Sequence, residues 1–222
     1  MRKGLDENIM FLKGKYDSYA AVIGAVGSLL TLVYLLMAMS SKGFSNIQMV
    51  QVAVFLVANI TLMVVGFLDV NTTTTLFLPF GMTILGYLLS AYIYASNYAS
   101  HSGNASSRWW YMTSVGHAVY SVICIVCVLV AYLGLIGKMK GQLLGMLLTS
   151  GLFGGYAFNV IVNIFQKIYS YTAASELSSS MATPFKTMLI SVLQYAPYLF
   201  ALAGILCLQY SGMKKAEEKA KK

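Results

Sequence analysis

Charge is what this sequence has least of. Of 222 residues, 10% are Asp, Glu, Lys or Arg, while 58% are hydrophobic. A soluble domain carries about 25% charged residues, so a water-facing surface cannot be assembled from this composition. Acids are scarcest. Between Asp17 and Glu217 only Asp69 and Glu176 occur. Acid–base or metal-assisted catalysis needs carboxylates or several histidines converging on one site. The chain also has no Walker-type loop, nucleophile elbow or soluble catalytic domain. The expectation is a non-enzyme with no cofactor and no metal. Cysteine is sparse too. Cys124, Cys127 and Cys207 all lie in apolar runs, none in a loop, so no disulfide framework is implied.

What is present is length without charge. Six segments contain no Asp, Glu, Lys or Arg: Tyr19–Met39, Ile47–Leu68, Leu76–Tyr98, Met112–Ile136, Leu143–Gln166 and Thr187–Tyr210, each of 21 to 25 residues. A helix needs roughly 20 residues to cross the hydrocarbon core, and helix is required because lipid offers a free backbone amide no partner. The fold class is therefore all-α, a polytopic transmembrane bundle of six spans over residues 19–210. A basic, cytoplasmic or interfacial N-terminus (residues 1–18) precedes it and a basic tail (211–222) follows. The first span is too long for the h-region of a signal peptide, about 7–15 residues, and reads as a retained anchor. The net charge of +8 has no aromatic-interleaved basic patch to go with it. It flanks the spans, as suits an anionic membrane surface, so the partner is the bilayer and not nucleic acid. One side of the six-span topology carries 11 basic residues and the other carries four, Lys42, Arg108, Lys167 and Lys186. The positive-inside bias puts both termini in the cytoplasm. The location expected is the plasma membrane, or an internal membrane in a eukaryote.

The connections add detail. Ile9–Leu12, beside Lys13 and Lys15, suggests a segment lying at the inner interface. Trp109, Trp110 and Tyr111 open the fourth span as an aromatic belt. Asn104-Ala105-Ser106 is a glycosylation acceptor in a eukaryotic secretory membrane. Pro184 reads as a helix start, and Pro79 and Pro197 should kink the third and sixth spans. Pro79-Phe80 with Thr83 and Leu88 echoes Pro184-Phe185 with Thr187 and Leu193, a faint inverted-repeat signal.

Polar residues inside the spans are the functional candidates. Tyr156, Asn159, Asn163 and Gln166 form one helical stripe in the fifth span. Amides are costly against lipid, so the stripe should face other helices or a cavity. Asn59, Gln194 and Tyr198 are placed to complete a polar interior, and His117 is an intramembrane ionisable group. Two readings remain open: interhelical glue, or the lining of a neutral ligand pocket. Ala20, Gly24 and Ser28, and likewise Gly151 and Gly155, are spaced by four and read as helix-packing positions. The tetrapeptide Cys124-Ile125-Val126-Cys127 resembles the redox motif of vitamin K epoxide reductases. That resemblance implies a second, loop-borne cysteine pair, which this chain lacks, and mid-span cysteines with no nearby cation are small apolar fillers.

Two functions follow as expectations. One is a binding or transport protein, or a transporter membrane subunit, for a small neutral solute. In size and topology alone the chain is similar to the S components of energy-coupling-factor transporters. The other is a non-catalytic structural or assembly subunit, with other membrane subunits or further copies of itself as partners.

Overall fold

The computed structural model describes residues 9–12, 15–39, 45–68, 70–100, 108–137, 142–174 and 189–220. Six of its helices are long and apolar enough to span a membrane. In chain order they are α1 (Lys15–Met39), α2 (Asn46–Phe67), α3 (Thr73–Ser100), α4 (Arg108–Leu135), α5 (Gln142–Ala174) and a two-part sixth span whose longer piece is α6 (Ala196–Ala220). Each helix packs on its sequence neighbours, and α6 returns to α1, closing a ring; α6 also leans inward on α2. Tyr16 at the start of α1 meets Tyr210 late in α6 edge-on, ring centroids 4.5 Å apart. The two chain ends therefore share one end of the bundle.

Several helices overrun the apolar segments. α5 continues to Ala174 rather than stopping at Gln166, and α6 carries the basic tail helically to Ala220. Caps set two of the starts. Ser45 and Gln48 form a reciprocal capping box at α2. Thr72 and Thr75 exchange backbone and side-chain hydrogen bonds at the start of α3. The prolines act differently from each other. α3 runs as one helix through Pro79, whereas the sixth span breaks at residues 194–195, between a helical turn at 189–193 and α6. Pro197 has no N–H for the carbonyl of Leu193, so the break falls where a helix bond is already missing.

Ile9–Leu12, expected to lie at the inner interface, forms strand β1, paired antiparallel with β2 (Val70–Thr72) at the end of the bundle that holds the termini. The pairing joins the N-terminal arm to the connection between α2 and α3. No local pattern announces it, because β1 depends on a partner some sixty residues away. The Asn104 acceptor, Glu176 and the Pro184 echo lie outside the described residues.

The core is packed from the terminus-bearing end. Its main cluster runs from Ala20, Leu62, Val65 and Leu76 through Tyr87 and Cys124 to Ala131, Leu202 and Leu208. Glycine makes this packing possible. A Cβ on Gly24 would stand 2.6 Å from the Met63 amide nitrogen, and one on Gly66 would stand 2.5 Å from the Ala21 nitrogen. α1 and α2 thus touch backbone to backbone at two successive levels, the close approach that small residues allow between membrane helices. Ala20 is fully buried on the same α1 face, and Ser28 turns back to donate to the Gly24 carbonyl at 2.7 Å. Gly145 brings α5 against α4, its added Cβ 2.9 Å from the Ala131 Cα. Gly151 makes no close approach to a neighbouring helix of this chain. It is exposed, and a Cβ there meets nothing within 4 Å. Spacing by four identifies a helix face but not which neighbour, if any, comes close to it.

The contrast gives a direct test. Gly24→Leu and Gly66→Leu would each drive a side chain into α1–α2 backbone that has no room to give, at a cost of about 1–3 kcal/mol or more. Both should lower the thermal midpoint in detergent by several degrees or abolish monodispersity. Gly151→Leu should leave the midpoint unchanged.

Candidate functional site

The other half of the bundle is less completely filled, with a smaller apolar cluster of Tyr34, Val52 and Leu193. A cavity of about 890 Å³ lies toward the end away from the termini, and every span contributes to its wall. α1 supplies Tyr34; α2 supplies Gln48, Gln51 and Val52; α3 supplies Ser90 and Tyr94. α4 adds Gly116, His117, Tyr120 and Ser121, and α5 adds Gly155, Tyr156, Phe158 and Asn159. The sixth span contributes Ile190, Gln194, Tyr195 and Tyr198, the residues on either side of its break. Among the described residues the lining holds no Asp, Glu, Lys or Arg.

Aromatic rings build the floor. Tyr156 and Tyr198 stack face to face, 5.1 Å between centroids and 6° between planes. Tyr87, fully buried beneath, sits 6.4 Å from Tyr156 and 6.0 Å from Tyr198. Phe55 closes the cluster edge-on to Tyr87 at 5.4 Å. Tyr120 meets Tyr156 at 5.8 Å on the α4 side, and Tyr94 lies against the His117 ring at 4.8 Å. Ring pairs at these separations favour one another's orientation, so the floor is a packed aromatic surface.

Amides hold the rings. Gln51 Nε2 donates to the Tyr198 hydroxyl at 2.8 Å. Asn163 Nδ2 donates to the Tyr195 hydroxyl at 2.9 Å and to the Asn159 carbonyl at 3.0 Å. These bonds tie α2 and α5 to the broken stretch of the sixth span. The turn at 194–195 is therefore clamped by side chains from both sides.

The sequence candidates thus separate by role. Tyr156, Asn159, Gln194, Tyr198 and His117 come together at the cavity. Asn163 stands behind the wall and positions Tyr195. Asn59 is fully buried outside the cavity, donating to the carbonyls of Phe55 at 2.9 Å and Pro197 at 3.3 Å. It joins α2 to α6 rather than facing a solute. Gln166 lies on an exposed part of α5, about two turns beyond the lining. Gly155 lines the cavity with its nearest outside atom the Tyr120 hydroxyl, at 3.5 Å from an added Cβ. Cys124 is fully buried in the core, and Cys127 nearly so.

Sequence reasoning missed Tyr34, Gln48, Gln51, Ser90, Tyr94, Tyr120, Ser121 and Tyr195. Gln48 and Gln51 carried a signal, since glutamines in an apolar span call for an inward partner. The tyrosines carried a weaker one: those at 34, 94, 120, 156, 195 and 198 all fall in the same half of their spans.

Glue and lining should respond differently to the same change. Asn59→Leu removes two buried hydrogen bonds and forces a branched side chain beside Gly27, costing about 2–4 kcal/mol, read as a lower thermal midpoint. Asn159→Leu, on the exposed rim, should leave the midpoint within a degree or two of the parent. Comparison with protein-family models, with curated proteins and with solved structures finds no match to this chain.

Proposed function

We propose that the protein binds a small, uncharged solute in this cavity and serves its passage across the membrane, as a transport protein or as the membrane subunit of a transporter. The observation that carries the reading is the cavity itself: walled by all six spans, floored by tyrosine rings and edged with Gln, Asn and Ser. Pockets of about 300–1,000 Å³ lined by aromatic faces and a few polar groups are the usual form of a small-molecule site. Rings offer stacking surface, while amides offer both a donor and an acceptor. Among the described residues the lining has no carboxylate or ammonium, which suits an occupant without net charge, because an ion there would meet no opposite charge.

The reading is non-catalytic. Among the described residues the lining holds no Asp or Glu to work with His117 as an acid–base pair. The interrupted turn at residues 194–195, near the start of the sixth span, is part of the cavity wall, and the helix bond missing beside it favours passage over static storage.

Native mass spectrometry of the full chain, released from its own membranes in mild detergent, tests this. The expected result is a retained uncharged mass, with occupancy falling at least tenfold in Tyr156→Leu and Gln194→Leu. A chain that emerges empty but with a stoichiometric protein partner contradicts it and favours the assembly-subunit role.

A further inference from the structure

α4 and α5 are tight at one end and parted at the other. Near the termini, Gly145 of α5 nearly touches Ala131 of α4. Farther along, an added Cβ on Gly155 first meets the Tyr120 hydroxyl at 3.5 Å, and on Gly151 or Gly116 it meets nothing within 4 Å. Small residues between membrane helices ordinarily mark backbone contact; along this seam they border open space. Gly116, Gly155 and Phe158 also line the cavity, so the seam joins it there. Phe158, 65% exposed, brings an apolar side chain to that edge.

We propose that the cavity admits a membrane-dissolved amphiphile sideways between α4 and α5, its uncharged polar head on the tyrosine and amide floor and its hydrocarbon chain lying over Gly116, Gly151 and Gly155. The inference rests on the solute-binding reading and names the class of solute. A purely polar solute would leave that apolar edge uncovered, and a pure hydrocarbon would strip the Gln, Asn and Ser edges of partners. A molecule with one polar end and one chain satisfies both. Among the described residues the lining offers a phosphate or carboxylate no Arg or Lys and an ammonium no acid, so an uncharged head is the one it suits.

The test uses the full chain in lipid nanodiscs and a photoreactive probe, a monoacylglycerol with a diazirine in its acyl chain. A fatty acid bearing the same chain is the anionic comparator. After photolysis, monoacylglycerol adducts should concentrate on residues 115–119 and 151–158, and the fatty acid should label those peptides at least tenfold less. Gly151→Phe and, on the facing helix, Gly116→Leu fill the seam where the structure has room. Each should cut labelling at least tenfold with the thermal midpoint unchanged, and a folding defect in one leaves the other readable. Adducts spread evenly over the outer faces of all six helices, equal labelling by the fatty acid, or undiminished labelling in the filled variants would overturn the proposal. If the filled variants change nothing while Tyr156→Leu still loses its retained uncharged mass, the seam is wrong and the cavity reading stands. If no uncharged mass is retained by the parent chain, both fall.

Discussion

Hydrocarbon gives a side-chain amide or hydroxyl nothing to bond to, and that constraint organises the whole molecule. A glutamine or asparagine in a span must turn toward another helix or toward a space that something polar can fill. Asn59 takes the first course, bonding the Phe55 and Pro197 carbonyls in the packed core. Gln51 and Asn163 take it in part, holding tyrosine hydroxyls in place. Gln48, Gln194 and Asn159 take the second and edge the cavity.

Glycine divides the labour along the helix axes. In the half nearer the termini, Gly24, Gly66 and Gly145 let backbones touch, so that α1, α2, α4 and α5 form a closed base. In the other half, Gly116, Gly151 and Gly155 face space. The same residue type therefore builds the rigid part and borders the less filled one. The sixth span crosses both. Its continuous portion, α6, fills the core with Ala201, Leu202 and Ile205, while its broken portion contributes Gln194 and Tyr195 to the cavity wall.

Much of this was legible in the sequence, for a simple reason. Uncharged runs of about 20 residues have one stable solution in a bilayer, so all six spans could be read directly. The polar stripe of α5 could be read as well, because amides in an apolar run stand out; it places Tyr156 and Asn159 at the cavity. Its far end misled, since Gln166 sits past the lining and a helical period does not say where a cavity stops. Gly24 and Gly151 show the same limit, being alike in pattern and opposite in surroundings. The tyrosine floor was hard to see because tyrosine in a span also serves at membrane interfaces. Only the crossing of α2, α3, α5 and the sixth span shows that Tyr87, Tyr156 and Tyr198 meet. Pairing of β1 with β2 was out of reach, being a contact between distant segments with no periodicity of their own.

The central claim is that polar side chains from all six spans enclose a space open toward the end opposite the termini. Cysteine accessibility in sealed vesicles measures it most directly. Gln48→Cys and Asn159→Cys should react with a small membrane-impermeant maleimide applied from the face opposite the chain ends, while native Cys124 and Cys127 stay unlabelled. Labelling of those positions from the face that bears the termini, or labelling of Cys124 as fast as Asn159→Cys, would contradict it.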